Sequence, residues 1–236
     1  MSDDAATPAK SSTHVARHDV GPMTGTGRLV HRAIRVILEA FCRVYFRLSI
    51  EGRDRLPATG PFIIAPIHRS YIDFLIVGAA MPPRLILRAM AKDSLWNWPW
   101  FGRFLERMGS FPVNREVVDR SALRNCEQAL AQGDPVLMFP EGRRREGDAV
   151  AEMLDGPAWV ACRDRVPIVP VGLGNTDRAM PIGAKFLHPV RVRAVIGEPI
   201  YPDVPPTGRV PRGAVQELTE RLRGEIQRVY DEARNS

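Results

Sequence analysis

The spacing of apolar residues near the start of the chain predicts a long amphipathic helix. Between residues 28 and 48, apolar side chains recur every three or four positions, as on one face of a helix. They are Val30, Ile34, Ile37, Phe41, Val44 and Leu48. The other side carries Arg28, Arg32, Arg35, Glu39, Arg43 and Arg47. We therefore predict an amphipathic membrane-interface helix over residues 28–50, with a helix docked on its own domain as the alternative.

After this helix, short apolar runs alternate with helical patterns. Strands are predicted at 62–67, 84–90, 110–113, 135–140, 167–174 and 190–197. Helices are predicted at 70–81, 119–133, 156–164 and along a closing segment that carries Val215, Leu218, Leu222, Ile226 and Val229. Strands separated by helices predict an α/β fold with a central, mostly parallel sheet flanked by helices. Because proline cannot donate to a strand ladder, Pro167 and Pro170 favour an edge or pocket-wall position for their strand.

The first 27 residues are rich in small and polar residues and lack the apolar core of a signal peptide. We expect a disordered tail there, followed by the helix at 28–50 and one domain at 51–236. No run of about 18 uncharged apolar residues occurs, so the sequence predicts no ordinary membrane-spanning helix.

The charge balance favours anionic partners. The formal net charge is +6, and only three of the 33 basic residues are lysines, at positions 10, 92 and 185. Arginine binds phosphate in a bidentate manner, although a GC-rich genome also enriches arginine. No nucleic-acid-binding motif is recognisable. The three widely spaced cysteines predict a reducing compartment without structural disulfides or a zinc site.

A histidine followed five residues later by an aspartate occurs twice, as HVARHD (14–19) and HRSYID (68–73). The first copy lies in the predicted tail, where nothing holds side chains in place, so we regard it as accidental. The second lies where a predicted strand gives way to a helix, a common position for sites in α/β proteins. With His68 in the turn, Asp73 could bind Nδ1–H and leave Nε2 as a base. The alternative is that Asp73 only caps the helix, with Ser70 as N-cap, and His68 is a surface residue.

Two other segments carry candidate residues. GSFPVNR (109–115) ends in Arg115 just after a short strand, and FPEGRRR (139–145) places Glu141 beside three arginines. Taken singly, Arg115 fits a surface residue and the arginine triplet fits a solvated turn.

In this order, HRSYID, GSFPVNR, FPEGRRR and VPIVPVGL (166–173) resemble the motifs of the glycerophospholipid acyltransferase family, which includes bacterial 1-acylglycerol-3-phosphate acyltransferases. The resemblance runs from about residue 52 to 200. It implies transfer of an acyl group from acyl-CoA or acyl carrier protein to the hydroxyl of lysophosphatidate, without metal or other cofactor. His68 matches the family's catalytic base and Asp73 its partner.

The resemblance also implies substrate-binding residues. Arg115 and Arg144 match arginines of the second and third motifs, the first of which binds the acceptor phosphate. Glu141 and Gly142 match the acidic-glycine pair of the third motif. We expect Glu141 to orient the acceptor or an arginine, and Gly142 to permit close backbone approach.

The sequence departs from the common pattern at Ile67, Arg143 and Arg145, where many members have asparagine, threonine and serine. These differences leave the acceptor open: glycerol-3-phosphate, a lysophospholipid or a glycolipid are alternatives, and a basic lipid-binding protein is the non-enzymatic one. The expected partners are the lipid acceptor, the acyl donor and an anionic membrane surface.

The tryptophans of LWNWPWFGRFL (95–105) form either a second interface patch or a local core. We expect peripheral attachment to the cytoplasmic face of the plasma membrane.

Overall fold

The structure, a computed structural model, describes residues 23, 25–113 and 120–235. Within them the strands are β1 (Ser49–Glu51), β2 (Ile63–Pro66), β3 (Arg88–Lys92), β4 (Ser110–Val113), β5 (Val136–Leu137), β6 (Ile168–Gly174) and β7 (Arg193–Ile196). The helices are α1 (Gly25–Tyr45), α2 (Asp73–Ala80), α3 (Pro99–Arg107), α4 (Arg120–Ala131), α5 (Gly156–Asp164), α6 (Thr176–Ala179) and α7 (Arg212–Arg234).

The strands form one sheet in the order β1-β7-β6-β2-β5-β3-β4. The five strands from β6 to β4 are parallel, β7 is antiparallel to β6, and β1 is parallel to β7. The predicted α/β fold with a mostly parallel sheet is therefore confirmed. Because parallel strands share one carboxyl edge, the segments that follow β2, β4 and β5 all leave the sheet on the same side.

The closing helix α7 packs against β6, with the predicted apolar residues from Val215 to Val229 buried. Contact is close because β6 carries Gly172, where a Cβ atom would collide with the backbone of Val229 and Tyr230. A glycine is thus needed where the helix backbone approaches the strand.

The first helix begins and ends earlier than predicted. It begins at Gly25, within the predicted tail of residues 1–27, of which residues 1–22 and 24 lie outside the described residues. It ends at Tyr45, because Arg47 takes a left-handed φ of 46° and the chain then enters β1, so residues 46–50 are not helical. The predicted strand at 84–90 begins later, at Arg88, because a turn in which Leu85 N–H donates to Pro82 C=O precedes it.

Of the two positions predicted for the proline-containing strand, an edge or a pocket wall, the edge is wrong. β6 lies between β7 and β2 rather than at an edge. The chain is three residues farther along β6 at the Val171–Ile196 pair than at the Ile168–Ile200 bridge, whereas the opposing segment differs by four residues. The opposing segment therefore contains one extra residue. This bulge lies opposite Pro170, where Gly197 N–H donates to the proline carbonyl, so the missing N–H of Pro170 interrupts no regular ladder.

Helix α1 packs on α2 with a mixed face, whose buried residues are His31, Arg35 and Cys42. Arg35 is 3% exposed and donates from Nη2 to the carbonyl of Met81 at the end of α2, at 2.9 Å. The prediction that Arg35 belongs to an outward arginine face is therefore wrong. The exposed side of the helix is apolar and comprises Leu29, Val30, Val36, Ile37, Phe41 and Val44. Arg28, Arg32 and Arg43 are also exposed. Among the described residues, no helix is both long and apolar enough to span a membrane.

Buried His31 should make the fold sensitive to acid. Burial and the nearby charges of Arg35 and Arg88 lower the pKa of His31 from 6.5 to about 4. An unfolded chain would therefore bind a proton at this residue between pH 6.5 and 4, whereas the folded chain would not. We expect stability that is intact above pH 6.5 to fall with decreasing pH, by up to about 3 kcal/mol at pH 4.

Urea unfolding of the protein and of His31→Leu at pH 7 and pH 4.5 tests this expectation. The loss between the two pH values should be smaller in His31→Leu and unchanged in a control, His188→Leu, at an exposed histidine. Equal losses in all three proteins would contradict it.

Candidate active site

His68 and Asp73 form a buried pair at the carboxyl edge of the sheet. His68 follows β2 and lies outside α2, and its Nδ1 is 2.8 Å from Oδ2 of Asp73. The imidazole stacks on the ring of Phe139, with centroids 3.9 Å apart. Nε2 has no hydrogen-bond partner among the described residues, and 9% of the side chain is exposed. The ring is thus oriented at one nitrogen and open at the other.

The carboxylate of Asp73 organises the turn that carries His68. In addition to its contact with the imidazole, Oδ2 accepts hydrogen bonds from the backbone N–H groups of Arg69, at 2.6 Å, and Ser70, at 2.7 Å. The structural N-cap of α2 is Ile72 rather than Ser70. Ser70 Oγ instead donates to the Met180 carbonyl at 2.7 Å and is fully buried, so it is not placed to act as a nucleophile. Asp73 therefore holds the turn and contacts the histidine at once, and His68 is 7% exposed, so the alternative of a surface histidine beside a Ser70 N-cap is wrong.

Glu141 anchors the same turn from the segment that follows the neighbouring strand β5. Its carboxylate is 3% exposed, and Oε2 lies 2.8 Å from Arg69 Nη1 and 3.0 Å from the backbone N of His68. Oε1 accepts from Arg69 Nη1 and from the backbone N–H of Ala151, both at 3.0 Å. Both oxygens are occupied by protein donors, so of the two predicted roles these contacts match that of orienting an arginine, and the arginine is Arg69.

Arg69 is the residue that sequence reasoning missed. It is 2% exposed, and its guanidinium also donates to the carbonyls of His68, Gly147 and Ala149. It further lies 5.3 Å from the ring centroid of Tyr230 in α7, a phenol whose pKa is raised by burial. The signal was an arginine shortly after an apolar strand, within a motif in which His68, Ser70 and Asp73 already had proposed roles.

The arginine triplet lies beside His68. Gly142 has a φ of +68°, which favours glycine, and a Cβ there would crowd Leu154. The backbone N–H of Arg145 donates to the His68 carbonyl at 2.9 Å. Arg144 is half-buried, and its Cζ lies 3.2 Å from the ring centroid of Tyr71. Its Nη1 is buried without a partner among the described residues, and is thus a donor available to a ligand.

The remaining predicted residue, Arg115, lies outside the described residues, as do His14 and Asp19 of the other His–Asp spacing. β4 ends at Val113, at the same sheet edge as β2 and β5. Only the strand that leads to Arg115 is therefore placed near the site.

Two other kinds of chemistry find no support in the described residues. The part of the chain that the structure covers contains no group of three or more histidine, cysteine or acidic residues that could hold a metal. The three cysteines are buried and free. Burial raises the pKa of Cys42 to about 11 and that of Cys126 to about 12, which makes them poor nucleophiles.

Comparison with known proteins shows the family to which the chain belongs. Residues 47–174, more than half of the chain, match the sequence profile of the family described as Acyltransferase. A 1-acyl-sn-glycerol-3-phosphate acyltransferase of Bacillus subtilis is 28% identical over 65% of this chain and 74% of its own length. One from Helicobacter pylori is 27% identical over 81% of this chain and 80% of its own.

Not every relative is matched over its whole length, since the alignment covers 44% of a chloroplastic relative from Arabidopsis thaliana. The fold is also found in a crystal structure of the 1-acyl-sn-glycerophosphate acyltransferase from Thermotoga maritima. The two structures superpose with a TM-score of 0.70, at 23% identity, over 91% of this chain and 86% of that one. With the profile match over residues 47–174, the chain belongs to the Acyltransferase family and is an acyltransferase.

Proposed function

We propose that the protein transfers a fatty acyl group from an acyl thioester to the free hydroxyl of 1-acylglycerol-3-phosphate, giving phosphatidate, with His68 as general base. The observation that carries this proposal is the 2.8 Å contact between His68 Nδ1 and Asp73 Oδ2. An alcohol is a weak nucleophile at neutral pH, so its proton must leave as it attacks. The open Nε2 is the atom suited to accept it.

The proposed reaction requires no covalent acyl-enzyme intermediate. The acceptor hydroxyl gives its proton to Nε2 while its oxygen bonds to the thioester carbonyl carbon. The tetrahedral intermediate then expels the thiolate, which takes the proton back from the imidazolium. Asp73 holds the ring in one tautomer and stabilises the transient positive charge, as the acid does in a serine-hydrolase triad.

The acceptor's phosphate would bind to the arginines beside His68. The guanidinium of Arg144 stacks on the ring of Tyr71, and this stacking fixes its orientation. Its Nη1 has no partner among the described residues and could donate to the phosphate. Arg115 is proposed as a second phosphate ligand on the basis of its match to the family's second motif. The names of the relatives from Bacillus subtilis and Helicobacter pylori also favour lysophosphatidate as the acceptor.

The proposed reaction is tested by measuring thiol release from oleoyl-CoA and from oleoyl-acyl carrier protein, each with and without acceptor. We expect thiol release to depend on lysophosphatidate and to be at least about ten-fold slower with glycerol-3-phosphate or lysophosphatidylcholine. Glycerol-3-phosphate lacks the acyl chain, and lysophosphatidylcholine lacks the phosphomonoester. Faster release with either of the other acceptors would replace lysophosphatidate by that acceptor. No acceptor-dependent release would contradict the proposed reaction.

We further propose that the protein acts peripherally at an anionic membrane surface, on the cytoplasmic face of the plasma membrane. Acceptor and product are both membrane lipids. The outward side of α1 is apolar, with Ile37 67% and Val44 82% exposed, and exposed arginines lie on the same helix. Trp98 and Trp100 at the start of α3 are also largely exposed, as suits the bilayer interface. Free buried cysteines are in keeping with a reducing compartment.

Ile37→Glu and Val44→Glu should each weaken binding to vesicles of phosphatidylglycerol and phosphatidylcholine by on the order of ten-fold, because each removes apolar burial and adds a negative charge. Flotation of the vesicles measures the bound fraction. Tyr201→Glu, an exposed residue outside α1 and α3, is the matched control and should bind as the unaltered protein does. Unchanged binding of both α1 variants would refute the role of this helix.

A further inference from the structure

A cationic cavity lies at the edge of the sheet opposite the active site. Its volume is about 250 Å³, and it is lined by the first turns of α1 and by the loops before β2, β3 and β5. Those three strands are parallel neighbours, so their preceding loops meet at the amino edge, whereas His68 and Glu141 follow β2 and β5 at the carboxyl edge. We call it the amino-edge cavity and define it by Arg28, His31, Arg32, Arg84, Gly133 and Asp134.

The charges of the amino-edge cavity are unbalanced. Arg28 and Arg32 are one helical turn apart and form no ion pair with any described residue. Arg84 contributes a third guanidinium, of which only Nε makes a long contact, 3.5 Å from the Ala58 carbonyl. Asp134, the one carboxylate among the described lining residues, is bound by Arg88 at 2.8 Å. Three arginines therefore line the cavity without a free carboxylate among the described residues, and a bound anion would balance their charge.

Buried His31 supports a ligand at the same place. It is 1% exposed and lines the cavity, yet neither ring nitrogen has a hydrogen-bond partner among the described residues. Buried polar groups are normally paired, so this ring is suited to donate to a bound group. Burial lowers its pKa to about 4, with Arg35 and Arg88 adding to the effect, so the ring is neutral in the empty cavity at pH 7.

We propose that the amino-edge cavity binds a phosphate-bearing anion through Arg28, Arg32, Arg84 and His31. Guanidinium forks match the tetrahedral oxygens of phosphate. The volume exceeds that of one phosphate ion and admits a phosphate with a small ester group. The exposed apolar face of α1 begins beside Arg28, at Leu29 and Val30, so a lipid headgroup is the favoured source and a soluble phosphate compound the other. This site differs from the acceptor site at Arg144.

Histidine NMR on the full chain tests the site independently of activity. The protein is labelled with ¹⁵N-histidine, and the His31 signal is assigned by its absence in His31→Gln. It is followed from pH 4 to pH 7.5 in chloride and in inorganic phosphate at equal ionic strength. We expect phosphate to raise the pKa of His31 by about one unit or more, since a bound anion favours the imidazolium.

Variants locate the effect. Arg32→Ala and Arg84→Ala should each weaken phosphate binding by about ten-fold, as expected when a charge-assisted hydrogen bond is lost. Arg43→Ala, the matched charge change farther along α1, and Arg144→Ala, in the acceptor site, should leave the His31 response unchanged. No response of His31 to phosphate or vesicles, or a response lost only in Arg144→Ala, would overturn the proposal.

A second arm distinguishes the source of the phosphate. Vesicles of phosphatidylcholine with and without phosphatidate replace the soluble ion. A His31 response to phosphatidate vesicles that Arg32→Ala weakens supports a lipid headgroup, and a response to inorganic phosphate alone supports a soluble ligand. A response to both is the result we expect.

Discussion

Replacing His68 with alanine is expected to lower kcat for acyl transfer by about 10²–10⁴-fold, with little change in the KM for the acceptor. The variant loses the imidazole whose open Nε2 is proposed to accept the hydroxyl proton, whereas the arginines proposed to bind the phosphate remain. Asp73→Asn should produce a similar loss, because the amide cannot stabilise the imidazolium and favours the wrong tautomer. Thiol release at saturating acyl-CoA, with the acceptor concentration varied, separates the two constants.

The matched control for this experiment is His188→Ala, which removes an exposed histidine whose side chain bonds no described residue. It should retain full turnover. Because the His68 ring packs on Phe139, thermal unfolding must show that His68→Ala is folded at the assay temperature. A folded His68→Ala protein with a kcat within a few-fold of the unaltered enzyme would exclude His68 as the base.

Arg69→Met should give the largest loss of stability, about 3–5 kcal/mol in the free energy of unfolding. The substitution leaves the Glu141 carboxylate, 3% exposed, without its cation, and it also frees the carbonyls of Gly147 and Ala149. We expect kcat to fall as well, because Glu141 holds the backbone of His68. Urea unfolding and turnover of the same preparations measure both effects.

A double variant separates lost charge pairing from lost packing. Arg69→Met/Glu141→Gln removes the buried negative charge while the amide oxygen can still accept a backbone N–H, so part of the stability should return. Arg228→Met, an exposed arginine of α7 paired with Glu225 and Glu232, is the control and should cost less than about 1 kcal/mol. A loss in Arg69→Met no larger than in Arg228→Met would refute the anchoring role of the pair.

Local patterns predicted most of the secondary structure. Strand β2, helix α5 and the buried face of α7 follow the predicted ranges, because apolar runs and three-to-four spacing report which residues one element buries. Boundaries were less accurate where a turn intervened, as at Arg47 and before Arg88. A left-handed residue that is not glycine leaves no signal in apolar spacing.

Some contacts of the active site could be predicted from the sequence and others could not. His68 and Asp73 are five residues apart, so the turn between them suffices to bring them together. The role of Glu141 was left between acceptor and arginine, and Arg69 was not recognised, because their contact joins residues 72 positions apart. It depends on β2 and β5 being neighbours in the sheet, which neither segment encodes alone.

The sequence by itself determined most of the strands and helices, the family resemblance and the local histidine–aspartate pair, since each depends on residues close together in the chain. It did not predict β1, α3 or α6. The tertiary structure decided three other features: the interior position of β6 with Pro170, the outward direction of the apolar side of α1, and the burial of Arg35. A helix pattern shows that two faces differ, but the surface it packs against decides which face is covered. Here the carbonyl of Met81 at the end of α2 binds Arg35, and the side of α1 that carries His31, Arg35 and Cys42 is therefore buried.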